Sequence, residues 1–379
     1  MQTTQTVLVG EETDFPPPDE AFAPRRIREP HWDYLRFAAT AAVVLIHVIA
    51  YAFNANAGHV PRYMLGHYGA LRSFSNALRW AVPSFALLTG ALVWGRPWRG
   101  GRGAYRDFLM RRATVVAVPY VLWVTLYYLL RPSIEGRPWP QGGLGPVGAD
   151  FLGRMLEGTA WFHLYFVPVV LALYILTPLA SRVAHLTPEG LVVGLAAFAT
   201  AWVAFRWGQP WLVGPWKTLL DNVIRYAPFA ALGALLAIRQ AIARRVLRWT
   251  WPPLLAGGLY GLWRVGANRA MYWGGFDRSL LGLLVTMAAV LGVLGLCWLV
   301  SGRWALADRA VGSLYPVSFG VYLVHPLVIA GLGSLALAFI PAKELLFTRD
   351  LAVGWLLAFA ASWALVWLLL KTRATRWMV

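Results

Sequence analysis

Residues 34–53 read YLRFAATAAVVLIHVIAYAF, an apolar stretch with one formal charge, Arg36, near its start and one histidine, His47, deep inside it. A bilayer core of ~30 Å is crossed by about 20 mostly apolar residues in a helix, so this stretch reads as a membrane span. Comparable runs recur near 76–95, 113–131, 162–180, 190–206, 223–238, 251–263, 279–300, 314–338 and 351–370, with 251–263 the shortest. In lipid only helices and closed barrels satisfy every backbone polar group, and runs of this length are helical. The expected fold is therefore all-α, a polytopic transmembrane helix bundle of about ten spans.

Composition supports the same reading. Hydrophobic residues make up 59% of the 379 positions and charged residues 13%, against roughly 25% charged in soluble domains. The 21 tryptophans suit membrane interfaces. A formal net charge of +17 would suggest nucleic acid in a soluble protein. Here most arginines flank apolar runs, where they anchor helix ends and set orientation, and no nucleic-acid partner is expected. With the N-terminus inside, nineteen Lys and Arg fall in inner segments against fourteen in outer ones, and the densest basic loops, 96–112 and 239–248, are both inner. The expected location is the cell membrane, multi-pass, with both termini cytoplasmic. Residues 1–30, rich in Pro, Asp and Glu, read as a disordered cytoplasmic tail, and 371–379 as a short cytoplasmic one. The longest connection, 132–160, is rich in Gly and Pro and is expected outside. Cys297, the one cysteine, excludes an intrachain disulfide and reads as packing; no metal site is expected.

Arg36 and His47 stand eleven residues apart. At ~100° per residue that is three turns plus ~20°, so both lie on one face, ~16 Å apart along the axis. Ionisable groups inside a span are costly and face a bundle interior or a wet cavity. Each also has a plainer reading. Arg36 could be an anchor that snorkels to the headgroups, Asp33 a helix N-cap, and His47 a satisfied core histidine. Imidazole nonetheless suits proton transfer near neutrality.

The ninth span carries Ser318-Phe319-Gly320-Val321-Tyr322-Leu323-Val324-His325-Pro326. Its Ser318, Tyr322 and His325, at i, i+4 and i+7, share a face. Pro326 leaves the Tyr322 carbonyl without its helical donor. This face is either a polar seam between helices or part of a site. At the start of the fourth span, Trp161-Phe162-His163-Leu164-Tyr165-Phe166 has the aromatics of an interface belt and a histidine that a belt does not require. Arg96, Arg99, Arg102, Arg106, Arg111 and Arg112 face only Asp107 in the 96–112 loop. They serve topology and anionic lipid contact or a phosphate platform, since Arg forks match phosphate oxygens.

Taken in order, these segments resemble the acyltransferase 3 family of integral membrane acyltransferases, over roughly residues 31–370. The likeness rests on Arg36 and His47, spaced as the family's Arg-x10-His pattern, in the frame His31-Trp32-Asp33-Tyr34-Leu35-Arg36. It extends to Pro83-Ser84-Phe85-Ala86-Leu87-Leu88-Thr89-Gly90 and to Phe108-Leu109-Met110-Arg111-Arg112 leading to Pro119-Tyr120. It is completed by Trp161 to Phe166 with Tyr174 and Pro178, and by Ser318 to Pro326.

The resemblance implies a transmembrane acyltransferase domain of O-acetyltransferase type over 31–370. Such a domain moves an acyl group, usually acetyl from acetyl-CoA, to a hydroxyl of a sugar, surface polysaccharide or glycolipid precursor. On that reading His47 is a general base or brief acyl carrier, and Arg36 faces the donor or steadies developing negative charge. His163, Tyr322 and His325 orient His47 or the acceptor. Arg111 and Arg112, with Arg106, hold the CoA phosphates on the cytoplasmic side. Acyl-CoA, a hydroxyl acceptor and membrane lipids are the expected partners. The competing reading is a transporter or flippase of a lipid-linked glycan, whose polar residues would line a path. The matched interrupted helices of many transporters are not evident in the sequence.

Overall fold

The computed structural model describes residues 29–56, 65–135, 138–187, 214–268, 279–313, 316–346, 348–373 and 375–379. These residues fold into helices and the turns that join them, as the sequence requires of a chain in lipid. Fourteen α-helices are described: α1 Pro30–Ala55, α2 Leu65–Ala77, α3 Ala81–Thr89, α4 Arg102–Arg112, α5 Val118–Glu135, α6 Leu144–Glu157, α7 Phe166–Ile175, α8 Thr177–Ala184, α9 Pro215–Ile238, α10 Gln240–Ala267, α11 Leu280–Val300, α12 Ala305–Ser313, α13 Ser318–Leu337 and α14 Thr348–Lys371. A π-helical turn, Gly90–Trp94, prolongs α3, and another, Ala113–Ala117, joins α4 to α5.

Among the described residues seven spans are long and apolar enough to cross a membrane, and an eighth if α7 and α8, bent by 67°, count as one. The expectation of about ten is not reached, for two reasons. The expected span 190–206 lies outside the described residues. The expected span 251–263 falls within α10, which at 28 residues is long enough but is less apolar, with Pro252, Pro253, Gly257, Gly258 and Gly261 inside that stretch and Arg244, Arg245, Arg248 and Arg264 flanking it. Two expected boundaries also move. The second span starts at Leu65 rather than 76, and the third at Arg102 rather than 113, because the basic helix α4 runs through its π turn directly into α5.

Small residues set the helix seams. A Cβ at Gly90 would collide with the Ala230 backbone and one at Gly95, further along, with Ala237, so α3 with its π extension and α9 run parallel at backbone contact. α10 and α11 run antiparallel on the same principle, with Gly258 against Ala289 and Gly292 against Leu255. α14 crosses back along α1, where Trp355 Nε1 donates to the Ala41 carbonyl at 2.9 Å.

The start of α1 and the end of the chain lie at one end of the bundle. Asp33 and Arg36 share a small cavity with Ser318 there, and Val379 abuts Gly320. Residues expected as a C-terminal tail return to the bundle through the turn Arg376–Met378, with Trp123 Nε1 donating to the Met378 carbonyl at 2.7 Å. α8 closes on this same end: Ser181 Oγ accepts from the Trp98 backbone N–H at 2.9 Å and donates to the Arg96 carbonyl at 2.5 Å.

Candidate functional site

Three histidines far apart in the chain meet at the centre of the bundle. α1 and α13 lie parallel; the ring of Tyr51 fits over Gly333 because that position has no side chain. This alignment brings His47 of α1 and His325 of α13 into a stack with ring centroids 5.1 Å apart. His163 comes from the turn before α7, its ring 5.2 Å from His325 and 6.4 Å from His47. Gly158, at φ +70°, ends α6 in the left-handed region and lets the chain fold against Tyr165, which brings residues 159–165 into the core. His163 is therefore not an interface-belt residue; it is 2% exposed.

Hydroxyls fix the cluster. Tyr322 Oη donates to the His163 carbonyl, and its ring lies 5.4 Å from the His163 ring. Tyr127 of α5 donates to the Leu323 carbonyl at 2.8 Å, close to where Pro326 interrupts the helical ladder, and presents its ring to His163 at 5.3 Å. His325 Nδ1 stands 3.0 Å from the Val321 carbonyl. A carbonyl only accepts, so Nδ1 carries the proton and Nε2 holds the lone pair. That Nε2 is buried and has no hydrogen-bond partner among the described residues. His47 and His325 stack, and His163 meets both rings edge-on. Among the described residues no group of His, Cys, Asp or Glu is placed to hold a metal ion.

A cavity of about 160 Å³ opens beside the cluster. His47, His163, Tyr322, Arg79, Arg225, Tyr165 and Tyr226 are among its walls, and Phe162, 53% exposed, lies against His47 with ring centroids 4.7 Å apart. His47 stands ~26 Å along the helix from the start of α1 but only ~12 Å from its end. The cavity thus lies toward the end of the bundle away from α4. An imidazole on the wall of such a cavity can take a proton from a bound hydroxyl and return it.

Arg36, also expected in the site, stands apart from the cluster. It lies 3.7 Å from Asp33 and lines the separate small cavity with Asp33, Thr40, Ser318 and Val321. Ser318 shares a helix face with Tyr322 and His325, yet it too belongs to this lower cavity. Asp33 is no N-cap: Glu29 occupies that position, and Asp33 sits in the first turn. Arg106, Arg111 and Arg112 are all on α4, away from the histidines. Arg106 is exposed beside Asp107, at 3.2 Å, and the Arg112 guanidinium lies over the rings of Phe108 and Tyr174 at 5.2 and 5.1 Å.

Four residues at the site were not singled out from the sequence. Arg79 and Arg225 were indistinguishable from helix-edge arginines that set topology. Tyr127 and Tyr226 sat in aromatic-rich spans where nothing marked their hydroxyls. The available signal was that Arg79 and Arg225 fall inside expected spans, 76–95 and 223–238, where a charge requires a reason.

The model of an acyltransferase domain family, acyltransferase 3, matches residues 30–371. No curated protein and no solved structure matches the chain.

Proposed function

Because this chain belongs to the acyltransferase 3 family, a family of membrane acyltransferases, we propose that it transfers an acetyl group from acetyl-CoA to a hydroxyl of a sugar, surface polysaccharide or glycolipid precursor. The observation that carries this reading is the convergence of His47, His163 and Tyr322, from three separate segments, on the wall of one cavity, with His325 packed behind them against both imidazoles.

In this reaction His47 takes the proton from the acceptor hydroxyl as its oxygen attacks the thioester carbonyl. The tetrahedral adduct collapses, the carbon–sulfur bond breaks, and the CoA sulfur leaves with the proton that His47 gives back. The acceptor gains an ester, CoA gains a thiol proton, and His47 returns to its neutral form. His325, held by the Val321 carbonyl, is a positioning residue that sets the angle of the His47 ring. Tyr322 and His163 position the acceptor side of the cavity. Arg111 and Arg112, with Arg106, hold the CoA phosphates, for which guanidinium forks are suited. Arg36, between α4 and His47 in depth, faces the donor.

With α4 on the cytoplasmic side, as the positive-inside rule requires, the donor enters from the cytoplasm and the acceptor from the other face. Purified protein incubated with labelled acetyl-CoA tests the activity. Acceptor-dependent release of CoA and label in the acceptor are expected. Acceptor flux into liposomes without any CoA release would favour the transporter reading instead.

A further inference from the structure

We propose that the cavity beside His47 selects an acceptor bearing an acidic group, a phosphate ester above all, held between Arg79 and Arg225. This inference rests on the acyltransferase reading and names the class of its acceptor. The two guanidinium groups reach the cavity from different elements: Arg79 from the break between α2 and α3, Arg225 from the middle of α9.

Both are held in place. Arg79 Nη1 donates to Asn76 Oδ1 at 3.1 Å, and Asn76 Nδ2 in turn donates to the Leu262 carbonyl of α10. The Arg225 guanidinium lies over the ring of Tyr226, 5.6 Å from its centroid, and the Tyr226 and Tyr165 hydroxyls are 3.0 Å apart. No Asp or Glu is among the described residues that line this cavity. Two positive forks and two phenols within a bundle interior form a wall complementary to an oxyanion rather than to a neutral sugar.

The cavity lies at the far end of the bundle from α4, so these arginines are separate from those assigned to the CoA phosphates. A phosphate ester can arrive on a soluble sugar or on a lipid carrier, and both present the same group.

Thermal unfolding of the purified protein in detergent, with CoA present at saturation, tests the proposal. Glucose 6-phosphate and dihexanoyl phosphatidic acid serve as phosphate probes and glucose as the neutral one. One or both phosphates should raise the melting temperature saturably, and glucose should not. Which phosphate acts distinguishes a soluble from a lipid-borne acceptor. Arg79→Gln and Arg225→Gln should each weaken phosphate binding about tenfold, and Arg79→Lys and Arg225→Lys should recover part of it. Equal responses to glucose and to the phosphates, no response to either phosphate, or unchanged binding in both glutamine variants would overturn the proposal. If a glutamine variant fails to fold, the comparison of probes on the unaltered protein decides alone. CoA itself reports on the acyltransferase reading: protection by CoA without protection by phosphate overturns this inference and leaves that reading standing.

Discussion

His325 gives its Nδ1 proton to a carbonyl one turn back, and this bond leaves the lone pair on a buried Nε2 that has no hydrogen-bond partner among the described residues. Around it, Tyr322 and Tyr127 spend their hydroxyls on backbone carbonyls, so they act by holding the chain. Replacing Tyr322 with Phe leaves a buried carbonyl without its donor, at a cost of about 1–3 kcal/mol. The variant should melt lower and turn over more slowly while binding CoA as the parent does; unchanged melting and turnover would show that the bond holds nothing. The sequence made the histidines legible because an ionisable ring inside an apolar span stands out. It could not say that Arg36 and Ser318 open on a different cavity, because a helical wheel gives direction around an axis but not the depth at which a neighbouring helix seals the face. Arg79 and Arg225 were hidden for the same reason: only packing of α2, α3 and α9 brings them to one wall.

Helix seams carry the next level. Gly257 and Gly258 are adjacent on α10, yet a Cβ at Gly257 meets open space and one at Gly258 meets the Ala289 backbone. Gly258→Ala should therefore destabilise by about 1–3 kcal/mol through overpacking. Gly257→Ala should be neutral or stabilising by up to about 1 kcal/mol, since Ala is the better helix former. Thermal unfolding of the pair checks this, and equal effects would mean that the seam is looser than drawn. A polar clip holds α6 on α5: Asp150 accepts from Arg154 Nε at 2.9 Å and from the Tyr128 hydroxyl at 3.0 Å. Burial of the Asp150 carboxyl acts to raise its pKa, but hydrogen bonds from Arg154 and Tyr128 outweigh it and hold the group below its ordinary value. A depressed carboxylate pKa means that the clip stabilises above the unfolded value and is lost as pH falls through the folded one. Protection from hydrogen exchange in residues 144–157, taken relative to the intrinsic rate at each pH, should fall on acidification, and in Asp150→Asn should already be lowered and lack that pH step. An identical pH step in the variant would assign it to another group. The element pattern itself was readable from apolar run lengths. What escaped was that charges strung along α10, and a basic helix fused to α5 through a π turn, would move span boundaries.

For the whole molecule, the all-α bundle followed from hydropathy alone, because lipid leaves the backbone few alternatives. Orientation rests on the arginine count and is open to direct test. Cys297 is the one cysteine, so Cys297→Ala supplies a clean background for single cysteines. A cysteine at Arg106 should react with an impermeant maleimide only when the cytoplasmic face is exposed, and one at Phe162 from the outer face; the reverse pattern would invert the donor and acceptor sides. The central claim, acyl transfer at His47, is tested most directly by His47→Gln in proteoliposomes supplied with labelled acetyl-CoA and a phosphorylated sugar. With melting temperature and CoA binding equal to the parent's, transfer should fall to background. A folded His47→Gln protein that transfers label at the parent rate would contradict the account.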